Sequence, residues 1–304
     1  MEPFRIHILG CGSALPTPRH CASSQVVEIR GKMFMIDCGE GTQVQLRHSH
    51  ISFTKIRAVF ISHLHGDHCF GLIGMISTFG MLGRINDLHV YAPQELESIL
   101  DAQLKLFCPS LDYKVIFHAV DTAQQAVIYE DRSLTVESLP LDHRVPCCGF
   151  LFHEKETARH ILRDMIDCYE IPISQINNIK LGADWVTDDG EVIPNERLTS
   201  PGTPGRSYAY CSDTRYLPEL VERIRQVDLL YHESTYTDDL ADRAKLYYHS
   251  TARQAATIAK QAQVGKLLLG HYSARYECED VILQEAKSVF PNSYLSDEGM
   301  VVDV

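Results

Sequence analysis

The stretch "ISHLHGDHCFG", residues 61–71, places three histidines and one aspartate within six consecutive positions. It overlaps the end of "IRAVFIS", whose β-branched and aromatic residues are typical of a buried strand. His63 and His65 lie two residues apart, so in an extended segment they face the same side. Asp67 and His68 follow where the chain turns into a helix, and Gly66 permits a close turn. The four side chains can therefore converge on nearly one point.

Metal binding explains this density best. Neutral imidazole binds zinc at about 2.0–2.1 Å and a carboxylate oxygen at about 2.0–2.2 Å, so four such ligands need little room. The alternative is a hydrogen-bonded cluster at a strand–helix junction, and for a single histidine we would prefer it. The pattern H-x-H-x-D-H directly after a buried strand favours metal instead.

Four residues shared between two ions would leave both ions short of ligands, so further ligands are expected at the ends of later strands. Three polar residues each follow an apolar, strand-like run: His143 in "LPLDHRVPC", Asp213 in "AYCSDTR" and His271 in "LLLGHYSARY". Each alone would be read as an ordinary polar residue at a strand end. Together they supply the ligands that the first cluster lacks.

Composition narrows the class of protein. The chain has 304 residues, 45% of them hydrophobic and 22% charged, as in ordinary globular proteins. Its start does not resemble a secretory leader and no apolar run is long enough to cross a bilayer, so we expect a cytoplasmic protein that makes no membrane contact. The ten cysteines form no CxxC motif, which favours reduced, mostly buried thiols. A net charge of −12 disfavours non-specific coating of nucleic acid but permits a local basic patch.

Strand-like and helix-like segments alternate in both halves of the chain, which predicts two sheets covered by helices. Residues 152–206 differ from the rest. They contain a helical stretch, a hairpin with its turn at Asp189-Gly190, and the Pro/Gly-rich "TSPGTPG". We interpret residues 1–304 as one domain and residues 152–206 as an arm inserted into it.

The motif formed by His63, His65, Asp67 and His68, with the three downstream residues, resembles the metallo-β-lactamase superfamily. The resemblance covers nearly the whole chain and implies an α/β (α+β) fold, a four-layer αββα sandwich with the metals at one edge. It also implies two zinc ions per subunit, although sites of this kind accept manganese or iron as well. The ligands implied for one ion are His63, His65, His143 and Asp213, and for the other Asp67, His68, His271 and again Asp213, which bridges the two.

Three further stretches resemble the ribonuclease Z family. In "LYHESTYTDD" and "YYHSTARQAA", a glutamate on one loop supports a histidine on the next, here Glu233 and His249. The loop "GCGSALPTPRHCAS" resembles the family's N-terminal loop, where the tRNA 3′ end is sensed. Within it Thr17, Pro18 and Arg19 match. The stretch "IDCGEGTQVQLR" resembles the family's first motif, and its Asp37 is expected to orient a ligand histidine without binding metal.

This resemblance implies a zinc-dependent endoribonuclease that removes the 3′ trailer of precursor tRNA, with hydroxide attacking the phosphodiester and a 3′-hydroxyl left on the tRNA. Asp67 would be both ligand and proton acceptor, and His249 would donate a proton to the leaving oxygen, oriented by Glu233. Two other functions stay open: a hydrolase of small phosphodiesters or esters on the same scaffold, and a non-catalytic RNA-binding protein.

The inserted segment occupies the position of the family's flexible arm, which grips tRNA across a homodimer, so a homodimer is implied by resemblance. Its sequence departs from that arm: "IPISQINNIKLGADW" keeps Pro172, Lys180, Leu181 and Gly182 but lacks the Gly-Pro-rich knuckle. Residues 152–206 carry 6 Lys and Arg against 10 Asp and Glu. Phosphate contacts would therefore come from a few cations such as Lys180, together with backbone groups and shape recognition.

Overall fold

The computed structural model describes residues 2–15 and 17–304. The first nine strands are β1 (Phe4–Gly10), β2 (Ser24–Ile29), β3 (Lys32–Ile36), β4 (Ile56–Phe60), β5 (Leu88–Pro93), β6 (Val115–Val120), β7 (Ala126–Glu130), β8 (Leu134–Pro140) and β9 (Cys148–Glu154). The others are β10 (His160–Ile161), β11 (Trp185–Val186), β12 (Val192–Ile193), β13 (Thr199–Ser200), β14 (Ser207–Cys211), β15 (Leu229–Glu233), β16 (Lys266–Gly270), β17 (Ser293–Leu295) and β18 (Val301–Asp303).

The α-helices are α1 (Thr42–His48), α2 (Gly66–Cys69), α3 (Leu72–Met81), α4 (Leu96–Phe107), α5 (Arg163–Cys168), α6 (Ile173–Lys180), α7 (Asn195–Leu198), α8 (Leu220–Arg223), α9 (Ala241–Tyr247), α10 (Ala252–Ala262) and α11 (Asp280–Lys287). Two short 3-10 helices span Phe53–Lys55 and Asp238–Leu240. Among the described residues, no helix is both long and apolar enough to cross a membrane.

Two seven-stranded sheets form the body of the protein. The first has the order β18-β1-β2-β3-β4-β5-β6 and the second β17-β16-β15-β14-β9-β8-β7. Strands β3 to β6 run parallel to one another, and so do β14 to β17. Because the carboxyl ends of parallel strands meet at one edge of a sheet, each sheet presents a row of strand ends from which loops can project side chains.

Side chains point alternately to the two faces of the first sheet, so its buried residues divide between two layers of the core. On β2, Val27 packs between the sheets, whereas the adjacent Val26 packs under the helices that cover the first sheet. Phe60 and Val59 on β4 divide in the same way. Helices α1, α3 and α4 cover the first sheet, and α8, α10 and α11 cover the second. The prediction of a four-layer αββα sandwich is confirmed.

The inserted segment forms a small unit with its own apolar cluster of Ile171, Ile179, Ile193 and Leu198. It contains α5, α6 and α7 and the strand pairs β10–β13 and β11–β12. The inserted segment leaves the second sheet after Glu154, slightly later than residue 152, because β9 continues to Glu154. It returns to the body at β14.

A buried carboxylate clamps the base of the insertion. Glu154, 3% exposed, accepts hydrogen bonds from Arg30 Nε at 2.9 Å and from Arg206 Nε at 2.9 Å. Arg30 lies in the β2–β3 turn of the first sheet, and Arg206 immediately precedes β14. The two guanidinium groups outweigh the effect of burial and hold the pKa of Glu154 below its ordinary value. Both ends of the insertion are thereby fastened to the first sheet through one ion cluster.

Replacing Glu154 should therefore destabilise the body. Glu154→Ala removes the buried counterion of two partly buried guanidinium groups and leaves Arg30 only the exposed Glu2, at 3.6 Å, so we expect a loss of about 3–5 kcal/mol in the free energy of unfolding. Glu130→Ala is the matched control, since Glu130 pairs with Lys155 while 59% exposed, and we expect a loss of about 1 kcal/mol or less. Urea denaturation compares the two, and equal losses would contradict the clamp.

Candidate metal centre

Loops at the carboxyl ends of strands from both sheets bring the predicted ligands to one edge of the sandwich. His63 and His65 follow β4, and Asp67 and His68 lie on α2 directly after them. The remaining three follow β8, β14 and β16: His143, Asp213 and His271. The sequence predicted seven ligands, and the structure brings all seven together.

One group consists of His63, His65, His143 and Asp213. Each offers a donor atom within 4.8 Å of those of the other three. His65 Nδ1 lies 3.0 Å from His63 Nε2 and 3.2 Å from His143 Nε2. Asp213 Oδ2 lies 3.6 Å from the Nε2 atoms of both His63 and His143. Three imidazole nitrogens and one carboxylate oxygen are thus spaced as the ligands of a single divalent cation.

A second group consists of Asp67, His68 and His271. Asp67 Oδ2 lies 3.4 Å from His68 Nε2 and 3.6 Å from His271 Nε2. Asp213 again takes part, because its Oδ1 lies 3.3 Å from His68 Nε2 and 3.1 Å from His271 Nε2. The two oxygens of Asp213 therefore face different groups, as the bridging interpretation requires.

Hydrogen bonds at the outer ring nitrogens hold the histidines in these orientations. Nδ1 of His68 lies 2.7 Å from Asp37 Oδ2, and Nδ1 of His271 lies 2.9 Å from Thr235 Oγ1. His143 Nδ1 donates to the carbonyl oxygen of Tyr248 at 3.0 Å. The opposite nitrogen of each ring is consequently left pointing at the centre, the arrangement found around ligating histidines.

Asp37 belongs to neither group. Its carboxylate accepts the backbone N–H of Ser62 at 2.8 Å and the Tyr210 hydroxyl at 2.7 Å, in addition to its contact with His68. Asp37 has a φ of 54° and Asp213 a φ of 60°, in the left-handed region that aspartate tolerates better than most residues. The geometry agrees with the outer role that the sequence analysis gave to Asp37.

The electrostatics suit a divalent cation. Burial lowers the pKa values of His63, His65 and His143, which favours the neutral imidazole that ligates metals. Among the described residues, the Nε2 atoms of His68 and His271 are buried and have no hydrogen-bond partner. Buried nitrogens in that state, facing carboxylate oxygens, fit a metal that completes their coordination.

His249 and Glu233 form a pair beside this centre. His249 Nδ1 lies 2.9 Å from Glu233 Oε1, and Glu233, which is fully buried, also accepts the backbone N–H groups of Thr214 and Ser250. Burial lowers the pKa of His249, but the charge and hydrogen bond of Glu233 outweigh it and raise that pKa to about 9. The pair can therefore present a protonated imidazole to the cleft.

A cleft of about 410 Å³ opens over the metal centre. It is lined by Asp67 and His249 and also by residues that the sequence analysis missed, among them Ser13, Arg144 and Tyr247. Arg144 is exposed and lies with its guanidinium 5.9 Å from the centre of the Tyr247 ring. The one indication in the sequence that Arg144 lies near the cleft is its position directly after the predicted ligand His143.

The predicted substrate-contacting residues are spread more widely. The Thr17 hydroxyl accepts the backbone N–H of His20 at 3.0 Å and lines a cavity that also contacts Asp67. Pro18 is exposed, and Lys180 lies at the end of α6 in the insertion. Arg19 is engaged within the protein: its Nη1 donates to Glu279 Oε1 at 2.7 Å. To bind a phosphate, Arg19 would have to exchange this partner.

The fold and the donor set define a metallo-β-lactamase-fold protein with a candidate centre for two divalent cations. The chain is 58% identical to "Ribonuclease Z" of Bacteroides fragilis (strain YCH46), with full coverage of both chains. It is 50% identical to "Ribonuclease Z" of Porphyromonas gingivalis (strain ATCC BAA-308 / W83), again over both full lengths. The crystal structure of the short form of human tRNase Z superposes with a TM-score of 0.71 at 25% identity, covering 98% of each chain.

Residues 4–162 match the family model of the Anti-Pycsar protein Apyc1. The full-length relatives carry the more specific information, because they span the second sheet and the insertion as well as the first sheet. The chain belongs to the ribonuclease Z family, and its first half also carries the sequence pattern of the Apyc1 model.

The outer hydrogen bond of Asp37 can be tested without assaying a substrate. Asp37→Asn removes the charge that orients His68, and we expect metal affinity to fall by about 10–100-fold. The measurement is competition with a chromogenic chelator. Asp131→Asn is the matched control, since Asp131 also accepts a tyrosine hydroxyl but pairs with Lys32 and touches none of the predicted ligands. If the metal affinity of Asp37→Asn were unchanged, Asp37 would not be needed to orient His68 for metal binding.

Proposed function

We propose that this protein is a metal-dependent endoribonuclease that removes the 3′ trailer from precursor tRNA. Membership of the ribonuclease Z family supports the reaction class. The observation that carries the proposal is the convergence, in one cleft, of the seven ligand-type residues with the His249–Glu233 pair. A cation centre beside a protonated histidine suits cleavage of a phosphodiester, in which a leaving oxygen must gain a proton.

The two groups of residues would hold two zinc ions, and Asp213 would contribute one oxygen to each group. Two divalent cations bound there supply Lewis-acid chemistry, because they lower the pKa of a water molecule and offset the negative charge of the phosphodiester. Asp67 would accept the proton of the attacking water. Burial raises the pKa of Asp67, but the nearby imidazoles of His271 and His68 outweigh this effect and lower that pKa far below its ordinary value, so the carboxylate stays ionised.

His249 would donate the proton to the leaving oxygen. Its Nδ1 is held by Glu233 and its ring stacks on His271 with centroids 5.3 Å apart, which leaves Nε2 as the atom available to the cleft. Glu233 has a separate task. Its hydrogen bonds to backbone N–H groups hold it in place, so that it fixes the orientation and charge of His249.

The precursor itself provides the first test. Purified protein supplied with zinc should release the trailer from a 3′-extended precursor tRNA, and Asp67→Ala should reduce this cleavage below detection, because it removes both a ligand and the proton acceptor. The control is Asp101→Ala, whose carboxylate is 59% exposed on α4 and pairs with Lys105. Cleavage is measured by sizing the labelled products on a gel, and undiminished cleavage by Asp67→Ala would remove the mechanism.

His249→Ala should separate proton donation from metal binding. We expect kcat to fall by about 10²–10⁴-fold, the usual contribution of general acid–base catalysis, while metal content stays as in the wild type. His153→Ala, which changes an exposed histidine on β9, is the control. Loss of metal in His249→Ala would instead make His249 a ligand, an outcome that its position near Asp213 and His271 makes worth measuring.

The second candidate is a hydrolase of small phosphodiesters or esters. One observation favours it: a cleft of about 410 Å³ falls in the size range of small-molecule sites. A protein inert on precursor tRNA but active on a chromogenic phosphodiester would select this function. The insertion argues for the larger substrate, since a small-molecule hydrolase has no evident use for it.

We further propose that residues 152–206 form an arm that contacts tRNA, in a homodimer whose presence sedimentation equilibrium would test. Ion pairing already occupies two of the arm's cations, because Lys155 pairs with Glu130 and Arg206 with Glu154. Of the other four, Arg159 donates to the Thr199 hydroxyl and Arg197 lies over the Tyr169 ring, whereas Arg163 and Lys180 have no such side-chain contact among the described residues. These two are the best placed to bind phosphate.

Lys180→Ala should therefore weaken binding of precursor tRNA without affecting hydrolysis of a small phosphodiester. Each phosphate contact that is lost should reduce the slope of log K against log salt by about 0.7–0.9. Binding is measured by fluorescence anisotropy at several salt concentrations. Lys105→Ala, 74% exposed on α4, is the control. Identical slopes for Lys180→Ala and the wild type would exclude this contact.

A further inference from the structure

A second group of ligand-type side chains lies outside the candidate metal centre. Cys11 follows β1, His20 lies on the loop between β1 and β2, and Glu298 precedes β18. Each offers one donor atom, and the three atoms lie within 4.8 Å of one another. The Cys11 side chain is fully buried, and those of His20 and Glu298 are only 10% and 13% exposed. This is a buried thiol, imidazole and carboxylate together, which differs from an exposed cluster of acidic residues.

The spacing of the three donors is close to that of a tetrahedral zinc site. Zinc–sulfur, zinc–nitrogen and zinc–oxygen bonds of ordinary length, at tetrahedral angles, place the ligand atoms about 3.4–3.6 Å from one another. Here Cys11 Sγ lies 3.4 Å from His20 Nδ1 and 3.7 Å from Glu298 Oε1. His20 Nδ1 lies 2.9 Å from Glu298 Oε2. Shifts of about half an ångström or less would bring all three to zinc-ligand geometry.

Two of these side chains, His20 and Glu298, also have an outer partner of the kind that orients metal ligands. The second nitrogen of His20, Nε2, is buried 3.3 Å from Glu279 Oε1 without forming a hydrogen bond among the described residues, and Glu279 is itself held by Arg19. A carboxylate on the far side of a ligating histidine is the usual arrangement around zinc. Glu298 Oε1 accepts the backbone N–H of Cys21 at 2.8 Å, which fixes the orientation of the carboxylate.

We propose that Cys11, His20 and Glu298 bind one zinc ion, separate from the dinuclear centre. A thiolate, an imidazole and a carboxylate suit zinc, whereas the thiolate disfavours magnesium and calcium. The carbonyl oxygen of Ser296, 3.6 Å from Cys11 Sγ, or a water molecule would complete four-fold coordination. Binding releases the thiol proton to solvent, and no oxidant or reductant is needed.

The ion would act on the active cleft by fastening its N-terminal loop. Ser13, Ala14 and Leu15 line the cleft over the metal centre, and Thr17, His20 and Cys21 line the adjoining cavity. All six lie on the chain between the proposed ligand Cys11 and β2. An ion joining Cys11 and His20 to Glu298 would tie both ends of this loop to the chain just before β18.

The competing explanation is a network of hydrogen bonds without metal. In that case Cys11 stays a protonated thiol that donates to Ser296, and His20 is a cation between Glu298 and Glu279. The two explanations differ in one observable, the presence of a metal–sulfur bond. All the residues assigned to the dinuclear centre are histidine or aspartate, so a metal–sulfur bond can arise only elsewhere.

Cobalt substitution tests the proposal directly. Full-length protein loaded with Co²⁺ should show a near-ultraviolet thiolate-to-cobalt charge-transfer band. Cys11→Ser should lose the band and bind one metal ion per chain fewer than the wild type, by elemental analysis. Cys21→Ser is the matched control, because this neighbouring thiol accepts a hydrogen bond from Gln45 and lies outside the group; its band should be unchanged. Asp213→Asn should also keep the band, which separates this site from the proposed dinuclear centre.

X-ray absorption of the zinc-loaded wild type gives a second measurement that needs no variant. A sulfur neighbour at about 2.3 Å is expected alongside nitrogen and oxygen neighbours. The absence of both the sulfur neighbour and the cobalt band would overturn the proposal and leave the hydrogen-bonded network. A band that persists in Cys11→Ser would overturn the assignment of Cys11.

Discussion

Asp213 is the residue on which the geometry of the candidate centre depends most. Its two oxygens face different groups of histidines, one pair following β4 and β8 and the other lying on α2 and after β16. Only a carboxylate offers two equivalent donor atoms at this separation, because a neutral imidazole has a single lone pair for a metal. Asp213 follows β14, the central strand of the second sheet, and this position places it between the two groups of histidines.

The packing of the core and the orientation of the ligands are linked through Asp37. This residue follows β3 in the first sheet, yet it accepts the hydroxyl of Tyr210, which lies on β14 in the second sheet. It also contacts Ser62 and His68 at the start of the ligand cluster. Misalignment of the two sheets would therefore displace a ligand ring, so the stability of the sandwich and the precision of the site depend on the same hydrogen bonds.

The clustering of the seven ligand-type residues could be predicted because a buried strand that ends in a polar residue leaves a clear pattern in the sequence. His143 and His271 each follow an apolar run, and the layered fold brings such ends together. The partners of Arg19 could not be predicted in this way. Glu279 is 260 residues away and lies next to α11, so only the packed structure shows that this guanidinium is already engaged. The contact between His143 and the carbonyl oxygen of Tyr248 could not be predicted either. Every residue has a backbone carbonyl, so the sequence does not indicate which one binds His143.

The electrostatics of the insertion constrain how it can serve the proposed function. A carboxylate excess in the segment and ion pairs at Lys155 and Arg206 leave few cations for phosphate, so counterion release can supply only part of the binding energy. Electrostatic attraction of phosphate near the cleft, where Arg144 is exposed beside Tyr247, would then matter more. In the proposed function, Arg144 would provide charge near the reacting end of the substrate. The insertion, clamped at its base by Glu154, would contribute mainly shape and reach.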